Sequence, residues 1–171
     1  MQFFKDVLNE DDTTYVFNKT HKGTTWEFKG YSNVTDNGYT FWYMDLDEDT
    51  FFTKKFLSRI NQLTGKNFEL ERVYANGQTY GLPGDLHTDV PADIYAAELY
   101  HTFLYYVNPV WDVRWGGQTI VLQEDNTADT IMYNHNTAVI FPSTLKHFST
   151  EPSRHCKDLR VTVAFKLKEV I

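Results

Sequence analysis

The chain is 171 residues long, with 16 Lys and Arg against 23 Asp and Glu and a formal net charge of −7. That length suits one domain with a real core, and the acidic balance argues against general nucleic-acid binding, which needs clustered Lys and Arg on phosphates. The single cysteine, Cys156, excludes an internal disulfide and any metal site built from cysteine alone. Aromatics reach 16%, with 13 Phe, 11 Tyr and 4 Trp, a composition suited to a β-rich domain with an aromatic-lined cavity. No apolar run is long enough for a membrane-crossing helix. The opening Met1-Gln2-Phe3-Phe4-Lys5-Asp6 lacks the basic and apolar regions of a signal peptide, so the expectation is a soluble, cytoplasmic protein.

Residues 1–9 are an apolar run suited to an edge strand. Residues 10–22 predict a short helix, with Asn9 as N-cap and Gly23 as the stop. Residues 24–31 and 39–45 read as strands, separated by the turn signal Asp36-Asn37-Gly38. Residues 49–64 form the clearest helix, because Phe52, Phe56, Leu57, Ile60 and Leu63 recur at three- and four-residue spacing and Gly65 follows. The grammar then changes to short strands at 68–74, 100–107, 119–123, 129–133, 137–141 and 159–167, parted by Gly, Asn, Asp and Pro. Many short strands with turns between them indicate a sandwich, barrel or jelly roll. The expectation is a single domain over residues 1–171, with 1–67 as an α/β support and 68–171 as a β core.

His87 and Asp89 stand two apart, so on a strand both point to one side. His147 follows sixty residues later, after the apolar stretch ending in Phe141-Pro142, and Arg160 opens the last strand. Two histidines and one carboxylate form the facial triad of non-haem Fe(II) oxygenases, which leaves open positions on the metal. A buried arginine can fork onto a carboxylate of a co-substrate, and Thr162, two residues on, faces the same way. Each residue also has a plainer reading: a capped turn for His87 and Asp89, a loop histidine for His147, an internal salt bridge for Arg160. Tyr106 could be only a core aromatic and Thr162 an ordinary strand residue. His101, His135 and His155 have no partner pattern. Trp111, Arg114 and Trp115 suit loop packing before a substrate lip, and Gly116-Gly117 suits a tight turn, since no phosphate-loop Lys follows.

From about Glu71 to Leu167 the chain resembles the 2-oxoglutarate- and Fe(II)-dependent dioxygenases of the prolyl 4-hydroxylase type. The matching pieces are Tyr74-Ala75-Asn76-Gly77, His87-Thr88-Asp89, Leu104-Tyr105-Tyr106-Val107-Asn108, Trp111-Asp112, Gly116-Gly117-Gln118-Thr119, Phe141-Pro142, His147 and Arg160-Val161-Thr162. The resemblance is strongest to short stand-alone members from marine phages and bacteria, which implies a phage-encoded protein acting in a bacterial host. It implies a mainly β fold with supporting helices, the double-stranded β-helix or jelly-roll, cupin-like barrel. It implies Fe(II) on His87, Asp89 and His147, with 2-oxoglutarate held by Arg160, Tyr106 and Thr162, and Tyr74 lining the cavity. O2 and, as reductant, ascorbate complete the cofactor set. The implied reaction is hydroxylation of a substrate C–H, with release of succinate and CO2, on a prolyl residue of a peptide or protein. Gln118 and Lys166 depart from the family pattern, where Glu and Trp are common, and both bear on the substrate. A cupin-like metalloenzyme that needs no 2-oxoglutarate and a silent β-barrel binding protein are the alternatives; Arg160 separates the first, and the intact triad argues against the second.

Overall fold

The computed structural model describes residues 1–30, 39–123, 125 and 127–171. The predicted turn at Asp36-Asn37-Gly38 lies outside the described residues. The first strand, β1 (Gln2–Lys5), is followed by helix α1 (Glu10–His21). Asn9 caps α1 by accepting from the Asp12 backbone N–H at 2.9 Å, and three acidic residues fill the first turn, where the helix dipole favours them. Gly23 ends the helix because the chain folds back closely: a Cβ there would stand 2.2 Å from the Lys19 carbonyl oxygen. Strands β2 (Glu27–Gly30) and β3 (Phe41–Asp45) pair antiparallel.

The predicted helix over 49–64 divides in two. Phe51–Phe56 winds as a wider π turn, and only Leu57–Thr64 is regular α-helix, here α2. The apolar spacing still buries Phe52, Phe56 and Ile60 completely, but period alone does not reveal the wider winding. Gly65 stops α2 in the left-handed conformation, with φ of 68°.

Strand β4 (Phe68–Gln78) runs four residues beyond its expected end. Then come β5 (Tyr100–Tyr106), β6 (Thr119–Leu122), β7 (Ala128–Ile131), β8 (Thr137–Pro142), β9 (His147–Ser149) and β10 (Arg160–Glu169). β9 is absent from the sequence reading: three residues are too few for a period. The strands make a seven-stranded antiparallel sheet in the order β1-β8-β5-β10-β4-β3-β2 and a three-stranded sheet in the order β7-β6-β9.

Alternation along β10 builds the molecule. Val161, Val163, Phe165 and Leu167 join Phe52, Phe56 and Ile60 in the core under the helices. Arg160, Thr162, Ala164 and Lys166 face a cavity on the other side. The neighbouring strand matches rung for rung: Gln78 opposite Arg160, Asn76 opposite Thr162, Tyr74 opposite Ala164 and Arg72 opposite Lys166. A second core of Leu104, Tyr106, Val121, Val139 and Phe141 fills the space between the sheets. Among the described residues no helix is long and apolar enough to cross a membrane.

Candidate metal and co-substrate site

The cavity has a volume of about 440 Å³, and His87, Asp89 and His147 line it. His87 and His147 come together through a backbone bridge: the His147 N–H donates to the His87 carbonyl at 2.8 Å and the His87 N–H to the His147 carbonyl at 3.1 Å. The Asp89 N–H donates to the Ser143 carbonyl at 2.9 Å. One potential ligand atom from each of the three side chains falls within 4.8 Å of the others.

The tautomers follow from the backbone. His87 Nδ1 lies 2.8 Å from the Asp85 carbonyl and His147 Nδ1 lies 3.0 Å from the Leu145 carbonyl. A neutral ring must carry its proton there, which leaves both Nε2 lone pairs facing inward. His87 Nε2 sits 3.3 Å from Asp89 Oδ1, and His147 Nε2 sits 3.5 Å from Oδ2. Lone pairs this close repel unless a cation lies among them, so the donor set fits a divalent metal with open positions. Burial pulls His147 down to about 4, against the opposing pull of Asp89, so the ring is a neutral ligand at pH 7. Burial pushes Asp89 up, but the Lys166 ammonium against it outweighs burial and holds the carboxyl well below its ordinary range. Thr102 and Lys166 both donate to Asp89 Oδ2.

Arg160 occupies the first rung and is 1% exposed. Its Nε donates to the Gly117 carbonyl at 2.8 Å, Nη1 to Gln78 Oε1 at 2.7 Å and Nη2 to Thr119 Oγ1 at 3.3 Å. Among the described residues no carboxylate pairs with it, so the predicted alternative of an internal salt bridge does not form. A buried guanidinium without an anion is costly. Three of its five N–H donors are used, and the remainder fit an anionic ligand in the cavity. Gly117 permits this placement: φ is 72°, and a Cβ would stand 2.9 Å from Arg160 Cδ.

Thr162 and Tyr74 line the same cavity as the triad and Arg160. Tyr106 stands opposite Thr162 across β5 and β10 and is fully buried. Its hydroxyl, which burial pushes up to about 12, donates at 2.9 Å to Thr119, and Thr119 meets the cavity and Arg160. Trp111 stacks on Tyr133 with centroids 4.3 Å apart, and Arg114 pairs with Asp112 outside the cavity, so these residues pack the loop. Asn76, opposite Thr162 on β4, presents a buried Oδ1 with no hydrogen-bond partner among the described residues.

Sequence reasoning gives no role to Tyr133, and it has Asn108 only as part of a matching motif. The Val107 and Asn108 N–H groups donate to the Tyr133 hydroxyl at 3.0 and 2.9 Å. Asn108 in turn accepts from the Val161 N–H at 2.9 Å. Together they fasten the start of β10, and with it Arg160. Gln78, Thr119 and Lys166 were visible as letters but not as neighbours, since they come together only through strand register.

The family model of the 2OG-Fe(II) oxygenase superfamily matches residues 72–165. The chain belongs to this superfamily. Membership implies Fe(II), 2-oxoglutarate and O2, and the residues of this oxygenase fit that set: the His-Asp-His cluster for the metal, Arg160 for a carboxylate. Solved structures share its fold at low identity. A prolyl hydroxylase from Trichoplax adhaerens, in complex with a hypoxia inducible factor peptide fragment, has a TM-score of 0.71 at 19% identity, covering 98% of this chain and 83% of that one. The viral collagen prolyl hydroxylase of Paramecium Bursaria Chlorella virus-1 gives 0.65 at 13%, covering 99% and 96%. The alpha ketoglutarate dependent epimerase SnoN from nogalamycin biosynthesis gives 0.68 at 14%, covering 96% and 76%. No curated protein matches the oxygenase in sequence.

Proposed function

We propose that the protein is a 2-oxoglutarate-dependent hydroxylase that inserts one oxygen atom into a substrate C–H and releases succinate and CO2. The observation that carries this reading is Arg160, a buried cation with no carboxylate partner among the described residues, facing the same cavity as the triad. A 2-oxoglutarate-independent metalloenzyme has no use for it, and a silent barrel has no use for the converging Nε2 atoms.

His87, Asp89 and His147 would hold Fe(II), and Arg160 the far carboxylate of 2-oxoglutarate. Thr162 lies opposite Asn76 on the next rung and would add a hydroxyl there. The Tyr106 hydroxyl orients Thr119. Iron with 2-oxoglutarate and O2 supplies the oxidation. The chain fixes the ligands in their neutral or ionised forms and encloses the reacting centre with Phe141, Leu104 and Tyr74. Residues 1–171 act as one catalytic domain in this reading, since β1 and β3 belong to the same sheet as Arg160. The prolyl hydroxylases among the structural relatives support a prolyl residue in a peptide or protein as the substrate. The epimerase of similar fold means that fold does not decide it.

The test is succinate formation by the purified protein with Fe(II), 2-oxoglutarate and ascorbate. Wild type should form succinate, omission of Fe(II) should abolish it, and His87→Ala should be inactive. Succinate formation that persists in His87→Ala would overturn the assignment.

A further inference from the structure

The interior columns of β4 and β10 carry a cation at each end. Arg160 occupies the first rung; Lys166 and Arg72 face each other on the fourth, and all three line the cavity. Six residues of strand separate the two ends, about 20 Å at the usual rise. The Arg160 end suits the co-substrate. At the other end Lys166 meets Asp89, and Arg72 stands opposite it.

The local charge runs against the chain as a whole. The net charge is −7, yet Lys29, Arg72, Arg160 and Lys166 line the cavity with only Asp45 and Asp89 as acids. With Arg160 given to 2-oxoglutarate, Lys166 is paired with Asp89 and shares it with the proposed metal site. Lys29 pairs with Glu27 at 2.7 Å. Arg72 has no ion-pair partner among the described residues. Its guanidinium lies 4.5 Å from the Tyr74 ring centroid, Lys166 Nζ lies 5.7 Å from the same centroid, and Tyr43 stacks on Tyr74 at 5.3 Å. Tyr74, backed by Tyr43, holds both cations at the cavity wall. Lys166 spends one donor on Asp89, and an ammonium has three.

We propose that Arg72 and Lys166 select a substrate that bears a carboxylate beside the oxidised carbon. The proposal rests on the hydroxylase reading and names the substrate chemistry of that site. Lys166 touches a metal ligand, so it ties the substrate's anion to the reacting centre, while Arg72, exposed at the mouth, reads the same group from outside. The carboxylate has two sources, an acidic side chain flanking the oxidised residue of a peptide, or the terminal carboxylate of a small acid such as free proline.

The experiment follows gain of one oxygen by mass spectrometry in four arms: proline peptides flanked by acidic, neutral or basic residues, and free proline. Wild type should prefer acidic peptides or the free acid over basic peptides by at least tenfold in kcat/KM, and the preferred arm identifies the source. Arg72→Lys should keep the preference, Arg72→Gln should lose most of it, and Arg72→Glu should reverse it toward basic peptides. Oxidation confined to neutral or basic peptides, oxidation in no arm, or a preference unmoved by Arg72→Glu would overturn the proposal. Wild-type succinate formation, measured alongside without substrate, separates this failure from failure of the hydroxylase reading: succinate without carboxylate preference sinks only the substrate assignment.

Discussion

Replacing Arg160 by Met keeps the length and apolar contacts of the side chain and removes its charge and its fork. The cost to the fold is limited because two of its three partners, Gln78 and Thr119, have other bonds. Gln78 Oε1 also accepts from the Ser149 hydroxyl at 3.1 Å, and Thr119 keeps the Tyr106 hydroxyl at 2.9 Å. The cost to 2-oxoglutarate is large. Three donors of the guanidinium are already engaged, so two remain for the far carboxylate. Charge-assisted bonds contribute roughly 1.5–3 kcal/mol each, so losing two should raise the KM for 2-oxoglutarate by about 100-fold or more. Arg160→Lys restores a point charge without the fork and should fall between, at roughly tenfold. None of the bonds of Arg160 reaches His87, Asp89 or His147, so metal affinity, measured by titration with Co(II), should not change. Succinate formation across 2-oxoglutarate concentrations, at saturating Fe(II), gives the KM. An unchanged KM in Arg160→Met, or loss of metal with KM retained, would refute the reasoning.

Gly117→Ala places a Cβ 2.9 Å from Arg160 Cδ and 3.0 Å from Nε at a φ of 72°; displacement of the guanidinium should raise the KM for 2-oxoglutarate by about tenfold, and a normal KM would mean that Arg160 does not bind it from this position. Tyr133→Phe leaves the buried Asn108 N–H without an acceptor, while the Val107 N–H keeps the Val161 carbonyl at 3.2 Å, a cost of about 2 kcal/mol that should lower Tm by roughly 6 °C in scanning calorimetry. For the metal-free protein, His147 is held at about 4 against an ordinary 6.5, so its neutral form is the one the fold favours. Its stability contribution is full above pH 6.5 and declines as pH falls toward 4, by up to roughly 3 kcal/mol. Urea unfolding at pH 7.5 and 5 should show that decline, added to smaller losses from His21 and His101, which burial also pulls down. His147→Gln should flatten it, and an equal slope in that variant would contradict the assignment.

The legible parts of this fold are those that local pattern determines. The cap at Asn9, the stop at Gly65 and the apolar spacing of Phe52, Phe56 and Ile60 need only neighbours a few residues away. The alternation from Arg160 to Leu167 shows which residues share a face, and it alone places Arg160 and Thr162 together. What the sequence conceals depends on register and on backbone contacts between distant segments. β9 is three residues long and exists because β6 pairs with it. The tautomers of His87 and His147 depend on the carbonyls of Asp85 and Leu145, in segments without a readable pattern. Lys166 was visible as a departure from the family, but its contact with Asp89 and its rung opposite Arg72 emerge only from strand pairing. The hydrogen bond from the Tyr106 hydroxyl to Thr119 likewise emerges only from the packing of distant strands.

The most direct measurement is the fate of 18O2 in the succinate made by the Fe(II)-loaded protein. If the chain is a 2-oxoglutarate-dependent dioxygenase, each succinate carries one 18O atom, and omission of 2-oxoglutarate stops O2 consumption. Succinate without label, or O2 consumption that proceeds without 2-oxoglutarate, would contradict the account.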